Sequence, residues 1–95
     1  MSLTLGIDAG GTKLAAGLVD ITTGRVLNRR VTPAQPSRGG DAVLADCLEL
    51  ARAVARGHAP DGVCVAVPEL VTIDGEIKTC ECWDWRGWDL GELFA

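Results

Sequence analysis

A chain of 95 residues allows one small domain with a thin core. With 47% hydrophobic and 23% charged residues, its composition is globular, which excludes wholesale disorder and collagen-like repeats. A net charge of -4 removes the broad basic footprint of a nucleic-acid binder, and the acidic side chains gather from Asp61 to Glu92, where only Lys78 and Arg86 oppose them.

Leu3, Leu5 and Ile7 alternate with Thr4, Gly6 and Asp8, the pattern of a strand with one apolar face. Ala9-Gly10-Gly11-Thr12 reads as a tight turn in which the paired glycines supply positive φ. Residues 13–19 and 25–31 read as two further strands joined at Thr23-Gly24, which completes an antiparallel meander. Pro33 to Gly40 is a loop by composition. Asp41 is the expected cap of a helix running to Arg56, with Leu44, Cys47, Leu48, Ala51, Val54 and Ala55 on its apolar face. Gly57 and Pro60 end it.

Residues 63–67 form a continuous apolar run, as in a strand buried on both faces and paired parallel to an earlier one. Asp74-Gly75 is a hairpin signal between 70–73 and 76–79. Asp89 and Glu92 have the spacing of a helix start, and Leu93-Phe94-Ala95 opens an apolar stripe. The expectation is that the sequence breaks off as a helix begins.

No apolar run approaches the roughly 18 residues of a membrane span. The start, Met-Ser-Leu-Thr-Leu-Gly, lacks the basic region and apolar stretch of a signal peptide. A cytoplasmic protein with no membrane or nucleic-acid partner is expected, its four cysteines remaining free thiols.

The informative stretch is Gly6-Ile7-Asp8-Ala9-Gly10-Gly11-Thr12-Lys13. It approaches a Walker P-loop, but Lys and the hydroxyl are exchanged, and Leu14 to Val19 suits a strand where a P-loop needs a helix. The dinucleotide spacing G-x-G-x-x-G is absent. Bare backbone N–H groups in a glycine turn make a concavity for anions, and the Thr12 hydroxyl and Lys13 ammonium can join them. Asp8 would repel phosphate unless Mg²⁺ intervenes, and Mg²⁺ takes one or two carboxylates while keeping several waters. Carboxylate, glycine turn and hydroxyl together suggest a site for a magnesium nucleotide. The plainer alternative is a hairpin turn with a capping Asp.

LGIDAGGTKLAAGLVD resembles the first phosphate-binding hairpin of the actin, hexokinase and heat-shock ATPase superfamily, and among these it is most similar to the ROK family of sugar kinases and repressors. Support continues along the chain in Asp20 with Gly24-Arg25-Val26-Leu27, in the helix at 41–56, and in Gly62-Val63-Cys64-Val65-Ala66-Val67-Pro68. It continues further in Leu70-Val71 with Asp74-Gly75-Glu76-Ile77, and in Trp85-Arg86-Gly87 with Leu90 and Leu93. The resemblance implies an α/β fold, namely part of a ribonuclease-H-like, actin-like ATPase lobe: three-stranded antiparallel meander, crossover helix, parallel fourth strand and following hairpin.

The same resemblance implies that residues 1–95 are an incomplete N-terminal lobe of an enzyme that transfers the γ-phosphoryl of ATP to a sugar hydroxyl. Gly6, Asp8, Gly10, Gly11, Thr12 and Lys13 would be the nucleotide site, with Asp8 holding Mg²⁺ through water and Lys13 peripheral. Pro68 and Glu69 would stand nearest the sugar. ATP and a sugar would be the ligands of the full-length form, and a homo-oligomer is compatible with it.

Departures from the family pattern are definite. Glu69 replaces a Gly, Ala66 stands where Gly is usual, and Cys80, Glu81, Cys82 and Trp83 occupy the place of a sugar-binding Asn. The catalytic Asp motif expected beyond the helix starting near Leu90 does not occur in this sequence, so the chain alone is expected not to phosphorylate sugar. The alternatives are a degenerate non-catalytic remnant and a sugar-responsive regulator.

Cys80 and Cys82 form a C-x-C pair with no third cysteine after it, and zinc is not expected there. Cys47 and Cys64 are expected to act as small core hydrophobes. Trp83, Trp85 and Trp88 suit packing better than ring stacking on a sugar.

Overall fold

The computed structural model describes residues 2–80 and 82–88. Alternation sets the first strands: β1 spans Leu3–Ala9, β2 Lys13–Asp20 and β3 Arg25–Pro33. A short 3-10 turn at Pro36–Arg38 leads into α1, Gly40–Ala55, and the chain returns as β4, Gly62–Ala66. The sheet order is β3-β2-β1-β4. The first three strands are antiparallel neighbours, and β4 runs parallel to β1. The expected meander, crossover helix and parallel fourth strand are therefore present.

The β2–β3 turn is shaped by Asp20, whose Oδ1 accepts the Thr22 N–H at 3.0 Å while its carbonyl accepts the Gly24 N–H at 2.7 Å. Burial raises the Asp20 carboxyl pKa, but the N–H groups of Thr22 and Ser2 and the Thr23 hydroxyl outweigh it and hold the group below its ordinary value.

α1 covers one face of the sheet. Leu5, Ile7, Leu14 and Ala16 pack there with Val43, Cys47, Leu50, Ala51 and Val54. The helix is rotated relative to the sequence expectation: Val43 and Leu50 are buried, whereas Leu44 and Leu48 are only partly so. The apolar arc of α1 is wide enough for either setting, and the start of the helix is closely packed. Trp85 Nε1 donates to the Gly40 carbonyl at 2.8 Å. A Cβ at Gly40 would lie 2.6 Å from the Trp85 ring and from the Asp84 carbonyl. Gly39 caps the helix with φ 93, so Asp41 is not the cap and lies inside the first turn, where a carboxylate complements the helix dipole. Burial, reinforced by neighbouring Asp46, pushes the Cys47 thiol up to about 11.

β4 is not buried on both faces. Among the described residues it pairs only with β1, at the sheet edge, while α1 packs over β1, β2 and β3; Val63 is 44% exposed and Cys64 is exposed too. Cys64 therefore lies in a strand but outside the core.

The Asp74-Gly75 turn forms, with Gly75 at φ 93 and its N–H donating to the Thr72 carbonyl at 3.0 Å. Its flanks pair antiparallel as expected: Val71 bridges Ile77, the Thr72 N–H donates to the Glu76 carbonyl and the Lys78 N–H to the Leu70 carbonyl, both at 2.9 Å. Ile77 is fully buried, and its carbonyl accepts the Gly87 N–H at 2.9 Å, which joins the hairpin to the tryptophan segment. Trp83 meets Trp85 edge-on at 5.2 Å, and Trp85 stacks on Trp88 at 5.8 Å. Trp83 and Trp85 are core residues and Trp88 is partly buried, so packing accounts for them. The helix start expected at Asp89, with Leu90, Leu93 and Phe94, lies outside the described residues. Among the described residues no helix is long and apolar enough to cross a membrane.

Candidate functional site

Parallel pairing of β1 with β4 brings their carboxyl ends to one edge of the sheet, with Asp8 opposite Ala66. The chain leaves that edge twice, once into Gly10-Gly11-Thr12 and once into Pro68-Glu69. The region beyond the carboxyl ends of parallel strands is where open α/β sheets place their ligands. Topology thus gathers every residue singled out from the sequence except Gly6, which lies two residues back along β1 on the face of Asp8.

Asp8 is exposed, and among the described residues its carboxylate makes no ion pair or hydrogen bond. It borders a shallow depression of about 530 Å³ on the face opposite α1, lined by the small residues Gly6, Ala15, Gly17, Cys64 and Ala66 and by the larger Val19, Val26 and Arg29. Lys13 is exposed, and strand alternation puts it on the Asp8 side of the sheet.

The glycine turn differs from expectation in one respect. Neither Gly10 nor Gly11 has positive φ; what requires glycine here is space. The Gly10 N–H donates to the Lys13 carbonyl at 2.9 Å, and a Cβ on Gly10 would lie 2.9 Å from that same oxygen. A Cβ on Gly11 would lie 2.9 Å from Sγ of Cys82. The Thr12 carbonyl accepts the Ala34 N–H at 2.9 Å, which ties the turn to the exit of β3. Among the described residues, nothing accepts the N–H groups of Gly11 or Thr12. The turn therefore offers donors beside a carboxylate without a partner, with no Cβ to block approach.

Glu69 is engaged rather than projecting into open space. Its Oε1 accepts the Thr79 hydroxyl at 2.6 Å, its Oε2 accepts the Cys82 N–H at 3.4 Å, and Thr79 Oγ1 in turn accepts the Leu70 N–H at 3.0 Å. Sequence reasoning missed Thr79 as a neighbour of the site, and placed Cys82 there by resemblance alone, with no link from either to Glu69. No local pattern links them to Glu69, because the hairpin between them sets the distance. Nearby, the Arg86 side chain and N–H bond the Asp84 carboxylate and pull it down to about 2.

No protein-family model and no curated protein matches the chain. Solved structures do. A ROK family glucokinase from Streptomyces griseus, solved with glucose and AMPPNP, matches with a TM-score of 0.83 and 27% identity, over 97% of this chain and 29% of its own. The chain's structural neighbours include ROK sugar kinases. The ROK hexokinase from Thermus thermophilus matches with a TM-score of 0.70 and 30% identity, over 81% of this chain and 26% of its own. An inorganic polyphosphate/ATP-glucomannokinase from Arthrobacter sp. strain KM matches with a TM-score of 0.77 and 28% identity, over 98% of this chain and 39% of its own. The ROK-like fold therefore extends through nearly the whole chain, and the chain spans between 26% and 39% of the length of these kinases.

Proposed function

We propose that residues 1–95 are part of the N-terminal lobe of an ATP-dependent ROK sugar kinase and bind the phosphate tail of Mg-ATP at the β1–β2 turn. The observation that carries this reading is the turn itself: glycines kept for space, free N–H donors, and the exposed carboxylate of Asp8 at the end of a strand paired in parallel. Kinship with ROK sugar kinases supports it, one of them solved with a sugar and an ATP analogue.

In this reading the N–H groups of Gly11 and Thr12 and the Thr12 hydroxyl bind phosphate oxygens. Gly10 keeps the turn narrow, and Lys13 adds positive charge at the rim. Asp8 is the residue that would hold Mg²⁺, through water. Among the described residues no three His, Cys, Asp or Glu side chains group closely enough to form a metal cage, which suits an ion that relies on one carboxylate, water and the phosphates. When bound, the ion neutralises phosphate charge. Phosphoryl transfer depends mainly on positioning and on that charge stabilisation; this segment supplies positioning, and the catalytic base belongs to a motif outside it. The chain by itself binds nucleotide and does not turn over sugar.

The test is equilibrium binding of Mg-ATP to the chain, with Asp8→Asn and Thr12→Val. Asp8→Asn is expected to weaken Mg-ATP about 10-fold and Thr12→Val about 3-fold, by loss of charge-assisted contacts. Absence of Mg-ATP binding at millimolar concentration, or indifference to Asp8→Asn, overturns the reading. ATP-dependent sugar phosphorylation by the chain alone would overturn the assignment of the base.

A further inference from the structure

The residue after Pro68 has a second relation to the glycine turn. Glu69 lies on the exit of β4, and its two carboxylate oxygens reach across the hairpin to Thr79 Oγ1 at 2.6 Å and to the Cys82 N–H at 3.4 Å. Leu70 N–H closes the ring on Thr79 at 3.0 Å. The segment held in this way delivers Cys82 Sγ to the place where a side chain on Gly11 would begin, 2.9 Å from that Cβ position. Glu69 thus holds the backbone of Cys82, whose thiol occupies the space beside Gly11 that a side chain there would need.

We propose that Glu69 is a positioning residue for the nucleotide turn, acting through Thr79 and the Cys82 segment to set the height of Gly11. The proposal rests on the reading of the β1–β2 turn as the phosphate site, and adds to it a residue with no contact to the nucleotide. A carboxylate suits the task because it accepts from the Thr79 hydroxyl and the Cys82 N–H together, one on each oxygen. Replacing it by glutamine keeps one acceptor and turns the other position into a donor facing a donor. The thiol is small enough to fill the space beside a residue without a side chain, so where it sits depends on how the Cys82 backbone is held.

Two readouts test this on the whole chain with Cys64→Ser and Cys80→Ser, which leaves Cys82 as the accessible thiol beside fully buried Cys47. One is the rate at which an aromatic disulfide reagent labels Cys82. The other is the dissociation constant of Mg-ATP. Glu69→Ala is expected to speed labelling and weaken Mg-ATP each by about 10-fold, with Glu69→Gln between it and the parent. In a Cys82→Ala background the effect of Glu69→Ala on Mg-ATP should fall below about 2-fold, since coupled residues are not additive.

Unchanged labelling in Glu69→Ala shows that Glu69 does not hold the segment and overturns the proposal. Faster labelling with unchanged Mg-ATP affinity also overturns it, by leaving Glu69 a purely structural role. Persistence of the full Glu69→Ala effect after Cys82→Ala removes the route through Cys82. Failure of the parent to bind Mg-ATP is a different result: it rejects the nucleotide reading and with it any positioning role, while labelling still reports whether the Glu69 contacts exist.

Discussion

The two faces of the sheet are built to opposite rules. On the face under α1, Leu14 and Leu18 have no exposed surface, Ile7 has 3%, and the fully buried Val43 and Cys47 close over the sheet. On the other face stand Gly6, Ala15, Gly17, Cys64 and Ala66, small residues around an exposed carboxylate. The first face spends its side chains on packing. The second keeps small residues at these five positions next to the larger Val19, Val26 and Arg29, and the donors of the glycine turn stand at its end. In the proposed reading, packing and ligand contact fall to residues that alternate along the same strands, and single substitutions test that separation.

The largest separation is expected from Leu14→Ala, which should lower unfolding stability by about 3 kcal/mol, measured by urea denaturation. A loss below about 1 kcal/mol would show that α1 and the sheet are not closely packed. Next comes alkali. The folded Cys47 pKa is raised from 9.0 to about 11, so between those values the native state keeps a proton that the unfolded chain releases. Its contribution to stability is complete below pH 9.0 and declines as pH rises toward about 11, by on the order of 2 kcal/mol. Cys47→Ala should remove that slope while lowering stability at neutral pH.

A smaller contrast sets two glycines against each other. A Cβ on Gly10 meets the Lys13 carbonyl at 2.9 Å, and the nearest atom to one on Gly17 is the Asn28 carbonyl at 3.6 Å. Gly10→Ala is expected to cost about 1–2 kcal/mol and to weaken Mg-ATP about 10-fold, whereas Gly17→Ala should change stability by less than about 0.5 kcal/mol. Equal effects would dissolve the distinction between turn and face.

The smallest effect belongs to the surface pair Arg86–Asp84. The Asp84 carboxyl is depressed from 3.8 to about 2, so its stabilisation is present above pH 3.8 and lost as pH falls toward about 2. Asp84→Asn should flatten only that acid limb of the stability profile, and only slightly, because the pair is exposed.

Much of this arrangement was legible in the sequence, because alternation and turn chemistry are local. Leu3-Leu5-Ile7 gave β1, Thr23-Gly24 gave a turn, and the apolar run after Gly62 gave a parallel strand. What was not legible depended on partners distant in sequence. The setting of α1, with Trp85 bonded at its first residue, and the exposure of Cys64 on an edge strand both involve such partners. The requirement for glycine at Gly11 came from Cys82 rather than from φ. For Glu69 the sequence showed only a charge out of place; its acceptors' work on Thr79 and Cys82 needed three-dimensional contact.

The seam between β1 and β4 is closed at its start by Asp61, which accepts the Leu3 N–H at 3.1 Å and returns its own N–H to the Leu3 carbonyl at 2.8 Å, across 58 positions of sequence. The meander needs only short loops, but this seam must await closure of a long one, and closure entropy of that kind slows folding. The hairpin bearing Gly10 and Gly11 can therefore assemble from neighbouring residues early, while the edge that sets Asp8 beside the Pro68–Glu69 exit exists only once the distant strand has docked. Pairing of β4 with β1 is therefore expected to follow the β1–β2 hairpin, and during refolding the Leu3 and Asp61 amides should gain protection from hydrogen exchange later than the amides of that hairpin.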